Sequence, residues 1–243
     1  MRTTYYNMAQ ELPNPGMPIV FFDIETLPTC DPAEVQAVIE AIKPPGIMRK
    51  AETIAQWKKD ERPLLVYDAV HKTGFNADLG SICTIAWALG NGPVVSAQGN
   101  DEAAVLEEFL AAVDMYAQLP LHDDRTASRP LAAGGHVIHW FDLPFVRKRA
   151  IINRVPLTDA LPWKEPRYSP RIQDTALLWD ADPKRHTKLD TLCRILGVES
   201  SKALGMDGSM VWDFWTSGEH DKVAGYCRED VRAARECWHI LRM

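Results

Sequence analysis

Apolar runs along the chain predict five strands. The run PIVFFDIE (18–25) ends in two carboxylates, and its lack of a polar face is typical of a central strand covered on both sides. Residues 81–90 and 93–99 predict two further strands joined by a tight Gly-Asn-Gly turn. Residues 131–140 predict a fourth strand, and residues 171–180 predict a short strand that leads into a helix.

Helical spacing of apolar positions predicts most of the remaining chain. We expect helices over residues 101–118, 141–153, 187–196 and 218–242, and two helical pieces within residues 29–59. Residues 64–78 show no regular pattern, so we expect irregular structure there. Strands that alternate with helices, with a hairpin among them, predict an α/β fold whose mixed sheet has helices on both faces.

Composition narrows the class of protein. The 243 residues are 46% hydrophobic and 25% charged, which is typical of folded rather than disordered chains. No apolar run approaches the ~20 residues of a membrane span, and residues 1–17 form a polar lead-in without the apolar core of a signal peptide. The five cysteines lack a metal-binding spacing and predict reduced thiols in a cytoplasmic protein.

Four carboxylates interrupt the apolar elements. Asp23 and Glu25 end the first strand and, being two residues apart, point to one face of the sheet. Asp142 begins the helix after the fourth strand, and Asp230 lies one turn after Tyr226 in the last helix. Taken singly, each fits a helix cap or a solvated pair. Converging carboxylates repel one another unless a cation neutralises them, and oxygen ligands favour Mg²⁺ or Mn²⁺.

The same residues lie in three motifs that resemble those of a known family. FFDIETLP (21–28), GGHVIHWFDLPFVRKRA (134–150) and YCREDV (226–231) are similar to the exonuclease motifs of the DnaQ-like 3′–5′ exonucleases, the DEDD superfamily, in its tyrosine-type form. The likeness is closest to bacterial predicted exonucleases related to the proofreading domain of family B DNA polymerases. It extends over about residues 18–241.

The resemblance implies a ribonuclease H-like fold, with a five-stranded mixed sheet flanked by helices on both faces. One exonuclease domain is then expected over residues 18–243, with an insertion at about residues 29–75. One departure lies in the second motif, where Val137 stands at a position that is asparagine in the family. Since that asparagine is thought to hold the terminal nucleotide, Val137 bears on substrate affinity or choice rather than on metal binding.

The resemblance also implies the chemistry. It assigns the binding of two Mg²⁺ or Mn²⁺ ions to Asp23, Glu25, Asp142 and Asp230, and the orientation of the attacking water to Tyr226. These five residues are the predicted catalytic set. The implied reaction removes nucleoside 5′-monophosphates from the free 3′ end of a single-stranded nucleic acid, with DNA favoured, and involves no membrane. Two alternatives stay open: an RNA-trimming 3′–5′ exoribonuclease, and a non-catalytic nucleic-acid-binding module that retains the fold.

Candidate substrate contacts surround the motifs, because a single strand needs stacking surfaces and positive charge. The candidates are Thr26, Leu27, Trp140, Phe141, Phe145 and Lys202. Core packing explains Phe141 and Phe145 equally well. Basic residues at 147–149 and 184–188 flank the motifs and fit either a solvated face or a phosphate site. The net charge of −6 disfavours a protein that coats nucleic acid, but it is compatible with an enzyme that handles nucleic acid through metal ions.

Overall fold

A five-stranded mixed sheet forms the centre of the protein, as predicted. The structure is a computed structural model that describes residues 17–118, 129–182 and 184–243. The strands are β1 (Ile19–Leu27), β2 (Ser81–Leu89), β3 (Val94–Gln98), β4 (Ala132–Gly135) and β5 (Ile172–Asp174). Their order in the sheet is β3-β2-β1-β4-β5. β1 is central because it pairs antiparallel with β2 and parallel with β4. Apart from Met17, the polar lead-in predicted for residues 1–17 lies outside the described residues.

Helices connect and cover these strands. They are α1 (Pro32–Ala41), α2 (Ala51–Asp60), α3 (Arg62–Lys72), α4 (Glu102–Gln118), α5 (Asp142–Ile152), α6 (Thr175–Asp180), α7 (Leu189–Leu196), α8 (Val211–Thr216) and α9 (His220–Leu241). Short 3₁₀ turns cover Thr73–Phe75, Ser201–Leu204 and Gly208–Met210. None of the helices in the described residues combines the length and the apolar character needed to cross a membrane.

Alternate residues of β1 serve two separate cores, because successive side chains of a strand point to opposite faces. Phe22 packs on Phe109 of α4 in the larger core, with ring centroids 5.1 Å apart. Phe21 faces the opposite side, where its ring lies 5.4 Å from that of Trp238 in α9. The carboxylates that follow Phe21 at even spacing therefore continue along the face that α9 covers.

The fourth strand is shorter than the pattern predicts, and the prediction of a strand over residues 131–140 is wrong beyond Gly135. Val137 adopts a left-handed backbone with φ of 58°, which no strand accommodates. The buried Asp174 carboxylate at the end of β5 holds this turn, since it accepts hydrogen bonds from the backbone N–H groups of Val137 and His139 at 3.0 and 3.3 Å. The turn allows α5 to begin at Asp142, beside the end of β1.

Two helices were not anticipated from the sequence. The expectation of irregular structure over residues 64–78 is wrong, because Arg62–Lys72 form α3 and a 3₁₀ turn follows at Thr73–Phe75. α3 has no fully buried residue, and Leu64 is 64% exposed, so its apolar positions do not form the inward-facing stripe that marks a helix in a sequence. The short helix α8 was also missed.

Candidate active site

β1 carries Asp23 and Glu25 onto the face covered by α9. Glu25 is buried and Asp23 is half-buried. The thiol of Cys227 in α9 lies 3.5 Å from Oδ2 of Asp23 and 3.4 Å from its backbone oxygen. One carboxylate oxygen of each acid and the sulfur of Cys227 lie within 4.8 Å of one another. The two acids of the first motif thus converge where α9 crosses the sheet.

The first turn of α5 brings Asp142 to the same place. Its Oδ1 accepts a hydrogen bond of 3.2 Å from the backbone N–H of Ile24, which lies between Asp23 and Glu25 in β1. Only 3% of Asp142 is exposed. Its position at the start of the helix is favourable for a negative charge, because the helix dipole is positive at that end.

α9 supplies the fourth carboxylate. Tyr226 and Asp230 are four residues apart and lie on one face of the helix. Both line one pocket together with Ser201, which lies in the 3₁₀ turn that follows α7. The carboxylate of Asp230 therefore lies beside two hydroxyl groups.

The four acids of the cluster all have raised pKa values. Burial is the largest cause for each of them. The charges of Asp142 and Asp230 add to the rise at both Asp23 and Glu25, whose pKa values lie well above the usual range. The pKa of Asp142 is raised to about 8 and that of Asp230 to about 6. The influence of Asp142 and Asp230 on the two acids of β1 indicates that the four carboxylates lie close together.

The donors of this site fit a hard divalent cation. Within the described residues, none of the four acids forms a salt bridge with a lysine, arginine or histidine. No side-chain cation of the described residues therefore neutralises them, and carboxylate oxygens suit Mg²⁺ or Mn²⁺. Burial and the charge of Asp23 raise the pKa of the Cys227 thiol, so it stays protonated and bonds to Asp23 rather than acting as a thiolate ligand.

Pockets open on two sides of the cluster. One of about 360 Å³ includes Glu25, Thr26 and Phe141, and the other, of about 460 Å³, includes Tyr226, Asp230 and Lys202. Gly208 and Ser209 line both, so the loop that precedes α8 separates them. Glu25 is thus accessible from one side of this loop and Asp230 from the other.

Some of the predicted substrate-binding residues line the pockets, and others pack in the hydrophobic cores. Thr26 and Phe141 line the pocket beside Glu25, and Trp140 is exposed in an adjoining pocket. Lys202 lines the pocket beside Asp230, where its Nζ lies 3.5 Å from Asp190. Leu27 packs instead against the small core under α8. Phe145 is only 3% exposed and belongs to the larger core, so its expected role as a stacking surface is not supported.

Sequence reasoning missed several neighbours of the cluster. The thiol of Cys227 bonds to Asp23 and Ser201 lines the pocket of Asp230, but neither residue belongs to a spacing that suggests a site. His71 of α3 and Trp212 of α8 line the pocket that contains Glu25, although they are separated by most of the chain.

The second and third motifs lie in a part of the chain that is similar to a known family. A family model described as "Predicted 3'-5' exonuclease related to the exonuclease domain of PolB" matches residues 135–234, which include the second and third motifs. None of the curated proteins matches the chain.

Among solved structures, the family B DNA polymerase of the hyperthermophilic archaeon Pyrobaculum calidifontis is similar, with a TM-score of 0.57 and 14% sequence identity. The alignment covers 93% of this chain and 24% of the polymerase chain, so it supports the fold and not the polymerase's activities. The five-stranded mixed sheet with flanking helices is the ribonuclease H-like architecture predicted from the motifs. The family match confirms the resemblance recognised in the sequence: over residues 135–234 the chain is similar to predicted 3′–5′ exonucleases related to the exonuclease domain of PolB.

Proposed function

We propose that the protein is a metal-dependent 3′–5′ exonuclease that releases nucleoside 5′-monophosphates from the 3′ end of single-stranded nucleic acid, with DNA favoured. The main support is the cluster of four carboxylates that β1, α5 and α9 bring together. The family match over residues 135–234 supports nuclease chemistry at this cluster.

In this proposal Asp23, Glu25, Asp142 and Asp230 hold two Mg²⁺ or Mn²⁺ ions. When bound, the ions neutralise the carboxylates, make water a stronger nucleophile and stabilise the charge that develops on the phosphate. The backbone N–H of Ile24 keeps the carboxylate of Asp142 in place before a cation arrives. Such preorganisation lowers the cost of assembling the site.

Tyr226 acts as a positioning group for the attacking water. Burial and the surrounding carboxylates raise the pKa of its phenol, so the hydroxyl keeps its proton at neutral pH. It therefore donates a hydrogen bond and does not serve as a general base. Tyr226 and Asp230 line the same pocket, so the hydroxyl lies beside the cluster.

A non-catalytic binding module is the weaker alternative. Buried carboxylates that raise one another's pKa values destabilise a fold unless a cation is bound. A module that only binds nucleic acid gains nothing from such a cluster, because negative charge repels phosphates.

The test is hydrolysis of 5′-labelled single-stranded DNA and RNA of one sequence with Mg²⁺, Mn²⁺ or EDTA. We expect the labelled strand to shorten stepwise from its 3′ end in Mg²⁺ or Mn²⁺, with mononucleotide products, and to persist in EDTA. The isosteric Asp142→Asn variant should be inactive, whereas Asp213→Asn, at an exposed position of α8, should be active. Faster hydrolysis of RNA favours the exoribonuclease alternative. No hydrolysis of either strand, or full activity in Asp142→Asn, contradicts the proposal.

A further inference from the structure

We infer that Phe75, Phe141 and Trp140 form an aromatic strip on which the unpaired bases of the substrate stack. Phe75 belongs to the segment of residues 29–75, predicted to be an insertion, so the strip gives that segment a role in selecting a single strand. The inference deepens the proposed exonuclease function and rests on it.

The aromatic strip begins in the pocket of the carboxylates. Phe75 and Phe141 line the same pocket of about 360 Å³ as Glu25, and their ring centroids are 6.3 Å apart. The same two rings line a neighbouring pocket of about 210 Å³, to which Trp140 and Lys148 also contribute. Because the two pockets share these rings, the apolar surface is continuous from Glu25 to Trp140.

The rings are exposed, which is unusual for three neighbouring aromatic side chains. Phe75 is 69% and Trp140 is 50% exposed, and Phe141 is half-buried. Exposed apolar groups that adjoin one another mark a binding surface more often than single ones do. Aromatic faces beside positive charge are the elements with which proteins hold single strands.

Positive charge accompanies the aromatic strip. The guanidinium of Arg167 lies 5.5 Å from the centroid of the Trp140 ring. Lys148 lines the pocket that contains Trp140 and pairs with Asp78 at 2.9 Å. Because this ion pair is exposed and therefore weak, a phosphate group can replace Asp78 as the partner of Lys148. Both cations are placed to attract the backbone of a strand whose bases stack on the rings.

The end of the segment of residues 29–75 is fixed against the residues that follow β1. The backbone N–H of Thr29 donates a 2.9 Å hydrogen bond to the hydroxyl of Thr73. A Cβ atom at Gly74 would lie only 3.3 Å from the backbone nitrogen of Pro28, so glycine permits this close approach. Phe75 follows directly, and its ring is therefore held at a set position relative to Glu25.

Two further rings border the same pocket. His71 of α3 lines it, and its Nδ1 donates to the carbonyl oxygen of Tyr67 at 2.8 Å. The ring of Trp212 lies 6.1 Å away at a right angle and narrows the same pocket.

Binding can be measured without hydrolysis. The probe is a 5′-fluorescein oligothymidylate of about 12 nucleotides with phosphorothioate linkages, followed by fluorescence anisotropy in Mg²⁺. We expect Phe75→Ala and Phe75→Leu to raise the Kd about 10- to 100-fold, the scale of one lost base–aromatic stack. Phe75→Tyr, which keeps the ring, should bind as the wild type does. Leu64→Ala is the matched control, since Leu64 is an equally exposed residue of α3 that lines neither pocket.

Hydrolysis of the plain oligonucleotide separates this inference from the proposed function. Phe75→Ala should raise KM and leave kcat within about twofold, because the ring binds the strand away from the reacting bond. It should also reduce the preference of the wild type for a single strand over a blunt duplex. If Phe75→Ala binds the probe with wild-type affinity, or if the wild type does not bind the probe, the inference that bases stack on the aromatic strip is overturned. Binding to the strip without any hydrolysis by the wild type overturns the exonuclease proposal alone.

Discussion

We expect the Asp230→Asn substitution to stabilise the metal-free protein at pH 7.5 and to leave its stability at pH 4 unchanged. The pKa of Asp230 is raised from 3.8 to about 6, because burial disfavours the charged form and Glu229 and Asp190 add negative charge. In the unfolded chain the group ionises near pH 4. Folding is therefore penalised as the pH rises from about 4 to 6, and the penalty is complete above that range.

The size of the effect follows from the shift. A difference of about two pKa units corresponds to about 3 kcal/mol of unfolding free energy. The amide of asparagine brings one more proton into the site than a neutral carboxyl group does, which reduces the expected gain to about 2 kcal/mol. For a chain of this length that gain raises Tm by about 4–8 °C.

The assay is thermal unfolding, followed by circular dichroism, of wild type and Asp230→Asn in EDTA at pH 4 and pH 7.5. Asp213→Asn, at an exposed position of α8, controls for the change in net charge. Mn²⁺ at pH 7.5 should reverse the order, because the wild type then gains the binding energy of the ion. A lower Tm for Asp230→Asn in EDTA, or the same rise at both pH values, would refute the reasoning.

Three further substitutions test other parts of the site and its support. Tyr226→Phe should lower kcat by about 10- to 1000-fold with little change in KM, since only a positioning hydroxyl is lost, and wild-type turnover at saturating Mg²⁺ would exclude that role. Val137→Asn should raise stability by about 1 kcal/mol in thermal unfolding, because asparagine tolerates the left-handed backbone at φ of 58° better than a β-branched residue; an unchanged or lower Tm argues against strain there. Arg149→Met should cost about 3–5 kcal/mol in denaturant unfolding, because it leaves the buried Glu102 carboxylate without its cation. Adding Glu102→Gln should recover much of that loss, and no recovery would contradict the explanation.

Regular elements were predictable where one local pattern determines them. The apolar run of β1 and the long amphipathic α9 follow from spacing alone, and their ends agree with the structure to within two residues. β4 was predicted too long because Val137 and Ile138 favour strands, whereas a distant carboxylate, Asp174, holds this backbone in a turn. α3 was missed because its apolar residues stay exposed. Tertiary contacts outweigh local preference in both cases.

The candidate site was predictable as far as it lies in motifs. Asp23 and Glu25 follow the apolar run of β1, Asp142 begins α5, and Asp230 lies one turn after Tyr226 within α9. These positions in the sequence indicated convergence. The approach of Cys227 to Asp23 and the placement of Phe75 beside Glu25 depend on how α9 and the segment of residues 29–75 pack on the sheet. No periodicity within either segment encodes that packing.

The central claim is that the four carboxylates of β1, α5 and α9 form one divalent-cation site. Anomalous diffraction from crystals grown with Mn²⁺ tests it most directly, because it locates each ion by its own scattering. The account predicts two peaks enclosed by the oxygens of Asp23, Glu25, Asp142 and Asp230, and no peak there in the Asp142→Asn variant. Fully occupied manganese elsewhere, with no peak among these carboxylates in the wild type, would contradict it.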